Sequence, residues 1–345
     1  MFTQRNRSDK HMAVWLLTCC ALIFAMVVLG GVTRLTRSGL SIVEWDPIMG
    51  AIPPITQTQW EQTFGKYKQT PEYVKVNRGM SLGDFKGIFY VEWAHRLLGR
   101  LIGLVFLLPF LYFLIRRQIG RQLVPKLLTM FVLGGLQGVL GWYMVKSGLV
   151  DMPRVSAYRL TAHLALAVVI YAYILWVALD LMTPRVHPSK TLQSLRRFSA
   201  WVTGLIFVMI LSGGFVAGTH AGFAFNTFPL MNGHFFPEGM YAMAPLWADL
   251  FENIATVQFN HRLLAYVLLL VIPAFWLTAR KFSLPRQAQT PIHLLLVWLA
   301  VQVTLGITTL IYVVPVPLAA AHQGGALVLF TLALYAHHSL RSVPA

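Results

Sequence analysis

Predominantly apolar runs of about 18 or more residues recur at eight places, roughly Ala13–Val32, Ile88–Ile115, Leu127–Val145, Ala157–Leu181, Ala200–Ala217, Ile254–Leu277, Ile292–Val313 and Leu318–Ala336. A helix of about 20 apolar residues crosses a bilayer, so the pattern predicts an all-α, polytopic membrane protein with eight transmembrane helices. Most polar segments between the runs are short. The longest, residues 33–86, is a large loop between the first two helices. Pro53-Pro54 breaks it, and Trp60, Phe64 and Tyr67 then recur at helical spacing among polar neighbours. Two readings fit that spacing: a short amphipathic helix lying on the membrane surface, or an irregular loop with scattered aromatics.

Composition agrees with the pattern. The 345 residues are 57% hydrophobic and 12% charged, against about 25% charged in soluble domains, which excludes a soluble enzyme of ordinary composition. The two cysteines, Cys19 and Cys20, are neighbours in the first run, so neither a disulfide framework nor a cysteine metal site is expected. That run is too long for a signal peptide and has no small-residue cleavage site. No Arg/Ser-rich transit segment precedes it, which predicts a bacterial rather than an imported organellar protein.

The net charge of +16 would suit a nucleic-acid binder, but topology explains most of it. With the N-terminus inside, the inner segments hold Arg5, Arg7, Lys10, Arg116, Arg117, Arg121, Lys126, Arg185, Lys190, Arg196, Arg197, Arg280, Lys281, Arg286 and Arg341, against only Asp9 and Asp180. Basic residues gather on the cytoplasmic side of membrane proteins. Both termini are therefore expected inside a bacterial plasma membrane (the cell inner membrane), in contact with lipid and not with nucleic acid.

The order of features repeats. Gly30-Gly31 closes helix one and Gly213-Gly214 lies near the end of helix five; His95-Arg96-Leu97-Leu98 is matched by His261-Arg262-Leu263-Leu264. Gln137 through Gly141 is matched by Gln302 through Gly306, and Ala162-His163 by Ala321-His322. The pattern predicts two pseudo-repeat four-helix bundles, residues 1–183 and 199–345, joined by a basic inner linker at 184–198 that includes Pro184–Arg197.

Four of eleven histidines fall within spans, near the outer ends of the even-numbered helices: His95, His163, His261 and His322. Ionisable groups inside membranes are costly and mark function. Two imidazoles on facing helices of an apolar bundle suit axial ligation of a haem, whereas zinc or copper would want more ligands, usually with oxygen or sulfur donors. The pairing expected is His95 with His163 and His261 with His322, both on the outer side. Arg159, one turn before His163, is a candidate contact for an anionic propionate; Arg34, Arg37, Arg96 and Arg262 are others. The halves differ at one informative place. Glu92 stands three residues before His95, where Gln258 precedes His261. A carboxylate can move a proton or stabilise a developing cation, so the N-terminal bundle is expected to be the reaction site and the C-terminal bundle to hold a permanent cofactor.

Several of these runs resemble heme A synthases: Gly30 through Thr36 with Ser38-Gly39-Leu40-Ser41 and Trp45-Asp46-Pro47, Glu92 through Arg96, Gln137 through Leu149, Arg159 through His163, Phe259 through Arg262, and Ala321 through Gly325. The resemblance spans about residues 13–338 and favours the branch shared by mitochondria and related bacteria. It implies an oxidoreductase that converts heme O to heme A for cytochrome c oxidase, by successive hydroxylations of the C8 methyl group and loss of water. It further implies a haem b cofactor on His261 and His322, substrate haem between His95 and His163, and Glu92 as the family's essential glutamate. Partners implied are haem O, a haem O synthase that hands it over, an unidentified electron donor or acceptor, and a second copy in a homo-oligomer. Some family members carry a cysteine pair in an outer loop, which this chain lacks. The main alternative is a bis-histidine di-haem electron-transfer cytochrome, although four histidines at one depth do not carry charge across a bilayer. A transporter of parallel repeats would need broken helices and a midplane polar site, and neither is evident.

Overall fold

The protein is described from a computed structural model that covers residues 2–44, 49–148, 155–183 and 190–341. Trp45, Asp46 and Pro47 of the first motif, Leu149 of the third, and residues 184–189 of the linker, with Arg185 and His187, lie outside the described residues. So do the side chains of Arg5, Arg7 and Lys190. Among the described residues the chain forms α-helices and no strand: α1 (Phe2–Leu35), α2 (Gln57–Tyr67), α3 (Pro71–Lys75), α4 (Leu82–Ile115), α5 (Val124–Gly148), α6 (Ala157–Met182), α7 (Gln193–Thr219), α8 (Leu246–Glu252), α9 (Ile254–Ala279), α10 (Arg286–Ile311) and α11 (Val316–Arg341). Eight of them, α1, α4 to α7 and α9 to α11, are long and apolar enough to cross a membrane, and they fall on the eight predicted runs.

The helices extend past the apolar windows where local chemistry permits. α4 starts six residues before the apolar run because Ser81 and Asp84 form a reciprocal capping box, with the Asp84 backbone N–H donating to Ser81 Oγ at 3.1 Å. That extra turn and a half places Phe85 on α4 one turn before Phe89, and α2 docks on both. Thr56 caps α2 through a second capping box with Gln59. Its Trp60, Phe64 and Tyr67 are buried against Phe85 and Phe89, with ring centroids 5.0 Å apart for Trp60–Phe89 and 4.9 Å for Phe64–Phe85. The amphipathic helix therefore exists, but its aromatic face covers α4 and is not free to lie on lipid. Each such aromatic pair adds about 0.5–1.5 kcal/mol beyond area burial.

By internal packing the chain divides into two compact units, one of residues 21–167 and the other of residues 1–20 with 168–345. In the second, α7, α9, α10 and α11 close a ring of contacts, α7 on α9, α9 on α10, α10 on α11 and α11 on α7. Ile206, Phe275, Leu295 and Leu327 fill its interior. The C-terminal part of α6 belongs to this unit and is fastened to α11 by polar contacts: Tyr171 to Thr331 at 2.8 Å and the His338 ring to Asp180 at 2.9 Å. His337 bonds Ser199 at 2.7 Å.

Candidate histidine sites and the clasps beside them

In the unit of residues 21–167, His95 rises from α4 against Gly30 of α1, where a Cβ would come within 3.3 Å of its Nε2. His163 rises from α6 against Gly141 of α5, where a Cβ would come within 3.0 Å of its Cε1. The two imidazoles lie within electrostatic range of each other. Gln137, one helical turn before Gly141, donates from Nε2 to the His163 carbonyl at 3.1 Å and stands 3.3 Å from His163 Nε2. His163 Nδ1 and Gln137 Oε1 are buried without a partner.

The other unit repeats these contacts. His261 of α9 sits against Gly213 of α7, and its Nδ1 lies 3.2 Å from Ser212 Oγ. His322 of α11 sits against Gly306 of α10, where a Cβ would meet Cε1 at 2.9 Å. Gln302, one turn before Gly306, donates to the His322 carbonyl at 2.9 Å and stands 3.1 Å from His322 Nδ1, while its Oε1 is buried without a partner. His261 and His322 are electrostatic neighbours as well.

The residues that precede His95 and His261 fasten connecting segments to their helices. Glu92 Oε1 accepts from Arg96 Nε at 3.0 Å and Nη2 at 2.6 Å. Its Oε2 accepts from the Ser41 backbone N–H and Oγ, both at 2.7 Å, and from the Ile42 N–H at 2.9 Å. Arg96 also donates to the carbonyls of Ile42 and Glu44. This clasp ties α4 to the segment after α1. Gln258 and Arg262 form its counterpart: Gln258 Oε1 accepts from Arg262 Nη2 at 3.4 Å, as Glu92 does from Arg96, but its other end donates where Glu92 accepts. The Gln258 amide donates to the carbonyls of Ala221 and Phe225 at 2.9 and 3.3 Å, and Arg262 donates to those of Phe225 and Thr227 at 2.8 and 3.0 Å.

A third fastening holds the start of α9. Burial pushes the Asp249 carboxyl up, but hydrogen bonds from Thr256, the Met243 N–H and Asn253 outweigh it and hold the group below the ordinary carboxylate range. Among the arginines considered for propionates, Arg96 and Arg262 are thus engaged with carbonyls of the connecting segments. Arg159 lies 5.2 Å over the Tyr143 ring, and Arg34 is half-buried in the last turn of α1. Arg37 stands near buried Glu72, whose carboxyl burial pushes up while Arg37 pulls it down.

Each unit offers two imidazoles, each packed against a glycine of another helix. At Gly30, Gly141 and Gly306 an added Cβ would press on the ring, and a pair of imidazoles among apolar helices is a donor set that fits haem iron. Among the described residues no cluster of three or more His, Cys, Asp or Glu could hold a bare ion. The residues that sequence reasoning left without a role are Gln137 and Gln302, and Ser41 with Ile42. The first two were visible as a repeated Gln-x-x-x-Gly spacing; the last two act through backbone groups, which residue identity does not advertise.

Fold and site together define a polytopic helical membrane protein with two intramembrane histidine pairs. The profile of the family described as cytochrome oxidase assembly protein (COX15-CtaA) matches residues 13–334, and the chain belongs to this family. It is 57% identical over 340 residues to the heme A synthase of Nitrosospira multiformis, covering 98% of this chain and 96% of that one. It is 50% identical over 342 residues to the heme A synthase of Parvibaculum lavamentivorans, with the same coverage. It is also similar to heme A synthase COX15 of Arabidopsis thaliana, 45% identical over 353 residues, covering 99% of this chain and 77% of that one.

Proposed function

We propose that the protein is an oxidoreductase that converts haem O to haem A in the bacterial inner membrane, with its histidine pairs toward the periplasm and both termini in the cytoplasm. The observation that carries the reading is the twofold occurrence of a glycine-backed histidine pair in a chain similar over nearly its full length to heme A synthases. The recurring local geometry supports treating residues 1–183 and 199–345 as two versions of one four-helix design. His95 and His163 take the haem O substrate; His261 and His322 hold haem b, which supplies one-electron redox capacity when bound. The glycines let each imidazole pack close to a neighbouring helix, and the apolar helices would exclude water from a bound haem. Turning a methyl group into a formyl group, R–CH3 + H2O → R–CHO + 4 H+ + 4 e−, releases four electrons, which pass to dioxygen or another electron acceptor from outside this chain.

Glu92 stands one turn before His95. The carboxylate has about four acceptor positions, and its five donors occupy them. It can take a proton only by opening the clasp, which favours stabilising positive charge over acting as a base.

The test is expression beside a haem O synthase, with haems extracted and quantified. His95→Ala and His163→Ala should retain haem b and yield little haem A. Wild-type protein that fills with haem b yet makes no haem A from supplied haem O would favour the electron-transfer cytochrome. Loss of haem b with these variants, and its retention with the C-terminal ones, would reverse the two sites. Gly306→Ala should displace the His322 ring at a cost of about 1–3 kcal/mol, read as weakened low-spin haem b absorption with unchanged helical circular dichroism.

A further inference from the structure

We propose that α8 is an interfacial anchor: its apolar face, made by Leu246, Trp247 and Leu250 with Phe251 at the edge, lies in the boundary layer of the lipid bilayer and holds the start of α9 at a fixed depth. The inference stands apart from the haem reading and rests on the membrane spans alone.

The amphipathicity of α8 is inverted. At about 100° per residue, Leu246, Trp247, Leu250 and Phe251 fall on one arc of roughly 140°, with Ala248 and Asp249 on the opposite side. Ala248 and Asp249 are buried, whereas Leu246 and Trp247 are 60% and 61% exposed, and Leu250 and Phe251 more than a third. A helix packed on a water-soluble core turns its apolar stripe inward. This one turns a carboxylate inward and its large apolar side chains out.

The arrangement is fastened, so the exposure is not that of a loose loop. Asp249 Oδ2 accepts from the Met243 N–H at 2.7 Å and from Asn253 at 2.9 Å, and its Oδ1 accepts from Thr256 of α9. Asn253 donates to the Gly239 carbonyl at 2.7 Å and caps α9 by accepting from the Ala255 N–H at 3.0 Å. The Tyr241 N–H donates to Thr256 Oγ1 at 3.1 Å. The Phe251 ring packs on Phe215 of α7 with centroids 4.8 Å apart. These contacts hold α8 to the ends of α7 and α9 and fix its apolar face where the described residues leave it uncovered.

Position in the chain supplies the occupant. Asn253 alone separates α8 from α9, a membrane span of 26 residues. At about 1.5 Å per residue that span is roughly 39 Å long, against a hydrocarbon core of about 30 Å, so its ends stand at headgroup level and α8 is tethered there. Ile254, the first residue of the span, is exposed too, and apolar surface runs from α8 into the span. Contiguous exposed apolar patches mark surfaces that lipid or protein covers, and tryptophan is enriched at the headgroup level. No Lys or Arg occurs from His220 to Asn253, so the attraction is apolar and needs no anionic lipid. His261 follows Ile254 by two turns of α9, and the anchor therefore sets its depth.

The experiment places a nitroxide on single cysteines at positions 246, 247 and 250 of the full chain in phosphatidylcholine vesicles, where the natural thiols Cys19 and Cys20 are buried. Electron paramagnetic resonance power saturation compares collision with oxygen, which concentrates in lipid, and with a water-soluble nickel chelate. Lys66→Cys, at an exposed charged position, sets the value for water. Leu270→Cys, exposed in the middle of α9, sets the value for lipid. The oxygen-to-nickel ratio of Leu246→Cys, Trp247→Cys and Leu250→Cys should exceed that of Lys66→Cys several-fold and approach that of Leu270→Cys. Ratios equal to that of Lys66→Cys would place α8 in water and overturn the proposal. Low collision with both reagents would overturn it as well, because protein then covers the face; spin–spin broadening that fades on dilution with unlabelled chain would identify that protein as a second copy. Trp247→Phe tests the same point without a label. The fluorescence it removes from the wild-type spectrum should be quenched by phosphatidylcholine brominated near the headgroup, and an unquenched difference would overturn the proposal even where a cysteine variant fails to fold.

Discussion

His261→Ala and His322→Ala are each expected to purify with a small fraction of the wild-type haem b. Removing one imidazole leaves the iron with a single protein ligand in an apolar helical ring, where no other side chain replaces it: Ser212 and Gln302 are the polar groups bonded to these rings, and neither competes with imidazole for iron. The loss should appear as a collapsed low-spin absorption band, with the protein still recovered as a monodisperse species. Because α7, α9, α10 and α11 close on one another through buried residues such as Leu295 and Phe275, the bundle does not depend on the macrocycle alone. Wild-type low-spin haem b content in both variants would place the cofactor elsewhere.

Glu92→Gln is expected to leave haem b in place and reduce haem A to little or none, with accumulation of haem O or a hydroxylated intermediate. Sequence comparison of the two halves suggests that an amide is sterically acceptable here, because Gln258 holds the matching position. The contacts change that argument. Both side chains accept from the arginine four residues on, but the other end of Gln258 donates to carbonyls, whereas that of Glu92 accepts from the N–H groups of Ser41 and Ile42. An amide at position 92 turns its NH2 toward one set of donors or the other. It forfeits charge-assisted bonds worth about 1.5–3 kcal/mol each, so Glu92→Gln removes charge and loosens residues 41–44 together. Ser41→Ala separates these effects, since it removes one clasp bond and keeps the carboxylate. Full haem A output from Ser41→Ala beside loss in Glu92→Gln assigns the defect to the charge. Near wild-type output from Glu92→Gln would reduce the carboxylate to a fastening.

The eight membrane helices were legible because a run of twenty apolar residues has one stable solution in a bilayer. The docking of α2 was not, because Trp60, Phe64 and Tyr67 make the same stripe whether lipid or protein covers it, and one deciding partner, Phe85, lies in a helix turn that hydropathy assigns to the loop. Glu92 and Arg96 could be paired from their spacing of four. Ser41 and Ile42 could not, since a backbone N–H belongs to every residue but proline. The four histidines stood out by being ionisable in apolar runs, whereas Gln137 and Gln302 looked like markers of duplication until the direction of their amides was known.

Both thiols of this chain lie within α1, with Cys19 and Cys20 only 1% and 4% exposed. The native protein is therefore silent toward water-soluble maleimides. A cysteine introduced at an exposed position such as Lys66 or Arg286 becomes the single reactive handle on an otherwise unaltered background. Membrane-impermeant reagents applied to intact cells and to inverted vesicles would then map which side each segment occupies, without first stripping the natural cysteines from the enzyme.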